Sequence, residues 1–367
     1  MTTLMQASHQ WASRPADQRF LSLHELGAKT GYERKRSAGK VISSRSVTIE
    51  PAKDDPIRGL QIVGGQGNPA TATHWSFGQL ASLAGAPASY MRGLPAPLAA
   101  DCMNFGLKIK RDVEDVGLLL TKQEDDSLEL RAATGPRYGR VWNADIVDAL
   151  VNRFGDGRTG DFRVPGEFGQ QVPITRDNTT IYGSDRDMFV FLADEENRIE
   201  MANRRDGKPG SLARGFFVWN SEVGSQSLGA AFFLFDYVCM NRIVWGVQQF
   251  KEIRLRHTVS APDKWLGEIT PVLTEYANAA AGPVEQTIKA AQEKKLGDDL
   301  DKFLASRFTR AEMTQVKQAH EREEGRPIET LWDVTTAITA HAKTIEWQDE
   351  RVAWEREGGK VLDLVAA

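Results

Sequence analysis

Cysteine is almost missing: Cys102 and Cys239 are the only two in 367 residues. Two cysteines far apart build no disulfide framework, and neither belongs to a CxxC pair. Cys239 lies inside the apolar run from Phe232 to Met240 and reads as a small buried hydrophobe. The six histidines, at positions 9, 24, 74, 257, 320 and 341, are scattered. Without HExxH or a cysteine pair they offer no zinc site, so no metal is expected from them. Excess charge of one sign is also lacking: 46 basic and 50 acidic residues leave a formal charge of −4. Global electrostatics therefore selects no partner. No apolar run approaches the roughly 20 residues of a membrane-spanning helix, so no membrane partner is expected. Met1 to Ser13 has no basic start, apolar core or small-residue cleavage site, and a reduced, cytoplasmic setting is the expectation. Gly64-Gly65-Gln66-Gly67 lacks the Lys-Ser/Thr of a phosphate loop, and Ser221 lies outside any GxSxG elbow. With no catalytic motif, catalytic residues and cofactors are both expected to be none.

What the chain does contain is an uneven layout of charge. Residues 1–58 hold 10 basic against 6 acidic side chains, and residues 59–200 hold 14 against 20. Residues 201–261 hold 8 against 4, and residues 262–367 hold 14 against 20. Two basic blocks on a near-neutral chain can present a positive surface that the total conceals. Together with turn residues, these shifts divide the chain into a basic, irregular N-terminal arm (1–60), a core domain (61–261) and an acidic helical C-terminal region (262–367).

Periodicity supplies the elements. Ser76 is a candidate N-cap for a helix ending at Gly85, and a short helix follows from Ala88 to Arg92. The next runs from Pro97 towards Lys108, with Leu98, Cys102, Phe105 and Ile109 on one apolar face. Strands are expected over Gly117–Lys122 and Ser127–Ala133, then a helix over Asn143–Phe154. Short apolar strands fill Thr179 to Asn220. Leu228–Phe235 is too continuous for a strand with one wet face, so it is either doubly buried or the start of a helix. Beyond Pro262 helix formers dominate, with Thr309 and Glu312 spaced as a capping box. The fold class expected is α+β: a central antiparallel or mixed sheet flanked by helices, with a helical C-terminal region.

Four segments carry a family likeness. They are Phe77–Leu94; Arg131-Ala132-Ala133-Thr134-Gly135-Pro136-Arg137-Tyr138; the strand and turn Gly215–Gly224; and Val238-Cys239-Met240-Asn241 with Arg254-Leu255-Arg256-His257. Over roughly residues 73–260, and on towards 345, the chain resembles the family called domain of unknown function 932, the phage/plasmid-like proteins; residues 1–60 lie outside the likeness. It departs at Arg242, where that family usually has Gly. The likeness implies a mobile-element setting and supplies no reaction.

The residues themselves point to nucleic acid. Arg137, Tyr138 and Arg140 set cationic forks beside a flat ring. Arg204, Arg205 and Lys208 suit a basic hairpin tip, and Arg254 and Arg256 would point to one side of an extended segment. Guanidinium groups pair with phosphates while rings stack with unpaired bases. Single-stranded DNA is therefore the expected partner, in a recombination or strand-annealing accessory role, with self-association through the C-terminal helices. Two other classes stay open. One is a metal-dependent nuclease or phosphodiesterase holding Mg²⁺ on Asp185 and Asp187, with Glu222. The other is a protein-binding anti-defence factor working through the acidic tail.

Overall fold

The computed structural model describes residues 15–64, 67–109, 115–165, 173–177, 179–201, 210–236, 241–243, 252–345 and 348–365. Its first part comprises β1 (Arg19–Phe20), α1 (Leu23–Arg36), β2 (Ser37–Ser43), β3 (Val47–Pro51), β4 (Leu60–Gly64) and β5 (Ala70–Ala72). Then come α2 (His74–Ala84), α3 (Ala88–Gly93), α4 (Ala96–Ile109), β6 (Asp115–Lys122) and β7 (Leu128–Thr134). Residues 15–60 are thus not irregular, which corrects the expectation for that segment. The 14-residue α1 is capped by Ser22, which accepts from the Glu25 amide, and its Leu23 and Leu26 are fully buried. Alternating polar residues and two glycines hide its apolar face from a periodicity reading.

Six of these strands form a sheet in the order β2-β6-β7-β5-β4-β3. Every neighbour is antiparallel except the β5–β7 pair, which is parallel. Helices α2 and α4 close one face, placing Leu80, Ala81, Met103 and Leu107 on Ile49, Ile62, Leu118 and Leu130. The cap of α2 is Thr73, not Ser76: the extended backbone of Thr73 presents its hydroxyl to the Ser76 amide at 3.1 Å. Ser76 is buried inside the first turn and donates to the Leu130 carbonyl at 2.6 Å. On α4 the apolar row Leu98, Phe105 and Ile109 is turned to solvent, while Ala99, Ala100, Met103 and Leu107 face the sheet.

The second part adds α5 (Asn143–Phe154), β8 (Phe162–Arg163), β9 (Ile181–Gly183), β10 (Met188–Asp194) and β11 (Ile199–Met201). It continues with β12 (Gly210–Asn220), β13 (Leu228–Asp236), β14 (Asn241–Ile243) and β15 (Ile253–Leu255). Among the described residues these strands and β1 make a nine-stranded sheet with the path β1-β9-β10-β12-β13-β14. The segment left open between strand and helix is a strand: β13 pairs with β12 from Leu212↔Asp236 to Trp219↔Gly229. Both faces of its centre are dry. Val190, Phe216, Val218 and Phe232 lie in the core under α5, whereas Phe191, Phe217, Trp219 and Phe233 pack on the opposite side. Burial on both faces removes the alternation that would have marked it.

The last part is helical: α6 (Ala261–Asn278), α7 (Gly282–Glu293), α8 (Leu300–Ala305), α9 (Arg310–Glu324), α10 (Leu331–Ala342) and α11 (Gln348–Asp363). Trp265, Ile269, Leu273 and Tyr276 of α6 join the core beneath the nine-stranded sheet. The others surround α10, which is buried along its whole length, and pack on Ile199, Leu212, Leu234 and Ile243 at the sheet's end. The chain is α+β with a helical C-terminal region. The capping box at Thr309 and Glu312 is formed, and a second joins Thr330 to Asp333. Asp333 is buried and also accepts both arms of Arg326. Removing the cap of the central helix by Thr330→Ala is expected to cost about 1 kcal/mol. A urea midpoint lowered with an unchanged slope would show it.

Candidate functional site

The hairpin turn between β12 and β13, Asn220-Ser221-Glu222-Val223-Gly224, meets the six-stranded sheet and α2. Glu222 is the centre. One carboxylate oxygen lies 3.0 Å from the Arg131 guanidinium of β7, with the two side chains only 2% and 3% exposed. The other accepts the Asn143 amide at the start of α5 at 2.8 Å. Arg131 also faces Glu33 of α1 at 3.9 Å. Burial pushes Glu33 above the ordinary carboxylate range, against the pull of Arg131 and then Lys29.

Three consecutive carbonyls of the turn accept side-chain donors from earlier in the chain. The Tyr138 hydroxyl donates to Ser221 at 2.7 Å, and Arg140 Nε donates to Glu222 at 2.8 Å. Val223 receives both Trp75 Nε1 at 3.0 Å and Gln79 Nε2 at 2.8 Å. The Ser221 hydroxyl donates to the Arg186 carbonyl at 2.7 Å and accepts the Ser225 amide at 3.0 Å, so it serves the turn backbone. Gly224 closes the turn at φ +85°, in the left-handed region that a Cβ disfavours.

Around this joint lies an open cleft of about 1190 Å³. Its walls include His74, Trp75 and Arg92 from α2 and α3, Arg137 and Tyr138 from the loop after β7, Arg186 from the β9–β10 turn, and Asp115. Arg186 is exposed and stacks on the Trp75 ring, 4.3 Å from its centre. Arg92 lies 5.0 Å from the Phe77 ring and donates to the His74 carbonyl at 2.7 Å. Three arginines and a histidine thus face one carboxylate, Asp115, among the described residues lining the cleft.

The sequence-derived site divides accordingly. Arg137 is exposed in the cleft wall. Tyr138 also lines the wall, but its hydroxyl is engaged and its ring stacks on His257 with centroids 4.7 Å apart. Burial pushes its phenol well above the usual range. Arg140 is part of the frame, lying over the Tyr138 and Trp142 rings. Arg254 and Arg256 are exposed on and just after β15; they do not appear in the cleft wall, and Arg254 pairs with Glu252. Arg204, Arg205 and Lys208 lie outside the described residues. The two carboxylates of the nuclease alternative have different surroundings. Asp187 is buried and takes the Ser184 hydroxyl at 3.0 Å, whereas Asp185 points to solvent. Glu222 is committed to Arg131. Sequence reasoning missed Trp75, Arg92 and Arg186; an indole in the first turn of a capped helix, with Gln79 one turn on, was the available signal.

His257 is strapped to the Arg137–Arg140 loop. The Gly139 amide donates to the His257 carbonyl at 3.1 Å, and His257 Nδ1 lies 3.0 Å from the Gly139 carbonyl. A Cβ on Gly139 would fall 1.7 Å from the Thr258 carbonyl oxygen, so only glycine fits there.

Two outcomes follow from this joint. Glu222→Ala strands a buried guanidinium and is expected to cost about 3–5 kcal/mol, whereas Arg131→Met with Glu222→Leu recovers most of it. Urea unfolding of the single and double variants checks both. Burial lowers the His257 pKa from 6.5 to about 4. Its stabilising contribution is complete above pH 6.5 and is lost as the pH falls towards 4. NMR titration of the imidazole should show it neutral at pH 5.5, about one unit below a free histidine.

No curated protein and no solved structure matches the chain. One family model does, over residues 176–356. The match takes in the β12–β13 turn, Arg186 and most of the C-terminal helices, and begins after Phe77–Leu94 and Arg131–Tyr138, two segments that carried the likeness read from sequence. Residues 176–356, close to half of the chain, match the family described as Domain of unknown function (DUF932).

Proposed function

We propose that the protein binds single-stranded DNA in the cleft beside the Glu222 turn. The observation that carries this reading is the lining: Arg92, Arg137 and Arg186 against Asp115, with the indole of Trp75 beneath the Arg186 guanidinium. Guanidinium forks take phosphate oxygens, and the open face of a stacked guanidinium accepts an unpaired base. A volume of about 1190 Å³ exceeds the roughly 300–1,000 Å³ usual for small-molecule pockets and suits a run of several nucleotides. Phosphate capture of this kind needs neither a metal ion nor a nucleophile. A strand-annealing or recombination accessory role on a mobile element, in the cytoplasm, is the setting that goes with it.

Titration of a labelled single-stranded oligonucleotide, followed by anisotropy at several salt concentrations, tests the proposal. Arg92→Ala with Arg186→Ala is expected to weaken binding at least about tenfold at every sequence and to flatten the salt dependence by roughly two contacts. Arg254→Ala, at a residue paired with Glu252, should change little. Absence of binding, or an isotherm indifferent to the Arg92 and Arg186 changes, overturns it.

A further inference from the structure

We infer that the outer face of α4 is a two-fold contact through which two copies of this chain pair antiparallel. Among the described residues, nine large apolar side chains are exposed, and three of them, Leu98 (50%), Phe105 (65%) and Ile109 (58%), sit on this one helix. Among the described residues of the C-terminal helices expected to self-associate, Leu266 of α6 is the one large apolar side chain so exposed, and a single residue makes no stripe. With Cys102, the row steps by four, three and four residues, the a/d spacing of a two-stranded helical seam.

The helix is held firmly enough to present that row. The Asn104 side chain acts as an extra strand residue: its oxygen accepts the Ile49 amide at 2.9 Å, and its amide donates to the Ile49 carbonyl at 2.7 Å. The remaining face is small and buried on α2 and the sheet, so it cannot rotate outward.

Charge selects the occupant and its direction. Assigning Leu98 and Phe105 to d and Cys102 and Ile109 to a puts Asp101 and Lys108 both at g. Both are exposed, and neither is in an ion pair among the described residues. In an antiparallel pair g faces g across the seam, so Asp101 of each copy meets Lys108 of the other. The same symmetry sets Leu98 against Ile109 and Cys102 against Phe105. A parallel pair would instead face these charges with the e positions, Ala99 and Gly106, which are buried in their own subunit. The stripe is therefore complementary to itself in one orientation, as an isologous contact requires. The α4 helix is 14 residues long, about 21 Å, which limits the contact to the small end of stable interfaces and its dissociation constant to around micromolar.

Sedimentation equilibrium of the full chain with its thiols kept reduced, from about 1 to 200 µM, spans that affinity. A monomer–dimer equilibrium is expected. Phe105→Glu, at an exposed position that leaves the fold intact, should raise the dissociation constant at least about tenfold. Asp101→Lys, which sets lysine against lysine, should weaken the dimer, and adding Lys108→Asp should restore it. A chain that remains monomeric throughout, a dimer indifferent to Phe105→Glu, or a double charge variant no better than Asp101→Lys alone overturns the inference.

Discussion

Glu222 sets its carboxyl group almost out of contact with water at the tip of a hairpin, 3.0 Å from the Arg131 guanidinium, and the rest of the joint is arranged around that contact. Removing a carboxylate from water costs several kcal/mol, which attraction to Arg131 and a hydrogen bond to the second oxygen offset. The second oxygen finds the first turn of α5, where backbone amides point outward and the helix dipole favours negative charge. One side chain thereby fixes a turn of the nine-stranded sheet against β7 and α5 at once. A carbon-rich core at this place would hold the parts together without specifying the turn's angle. The Arg131 contact on one oxygen and the Asn143 amide on the other hold it from two sides.

The cleft inherits its shape from this joint. Trp75 uses its ring nitrogen on Val223, and the ring in turn is the surface on which Arg186 lies. Arg186 gives its own carbonyl to Ser221, so the cation that faces solvent stands on a backbone already tied to the hairpin. Cationic groups on rigid supports lose less conformational freedom when they meet a ligand than the same groups on mobile loops. The surface is thus positive and largely ordered in advance.

Much of the architecture was legible because it is local. Asn143–Phe154 shows its inward residues at Ile146, Val147 and Leu150 and stops at Gly155, and the structure returns the same bounds. Thr309 and Glu312 announce a helix start by chemistry that four residues complete among themselves. What depends on distant partners was hidden. Trp75 and Val223 are 148 residues apart, and nothing near either one marks the other. Arg140 looks like a phosphate contact from its neighbours Tyr138 and Trp142, yet the carbonyl of Glu222 claims it. The outward row on α4 shows a further limit of pattern reading. Periodicity finds an apolar face, but small residues such as Ala99, Ala100 and Gly106 pack closest and take the inside.

The matched family segment begins at residue 176, while the donors that satisfy its turn come from residues 75 to 143. Cut free of what precedes it, residues 176–356 would give up these protein partners and leave three turn carbonyls and the Glu222 carboxyl group to water. The family's boundary is a boundary of sequence likeness and not of self-sufficiency. In this chain the hairpin's shape is thus set as much by residues 75 to 143 as by its own strands.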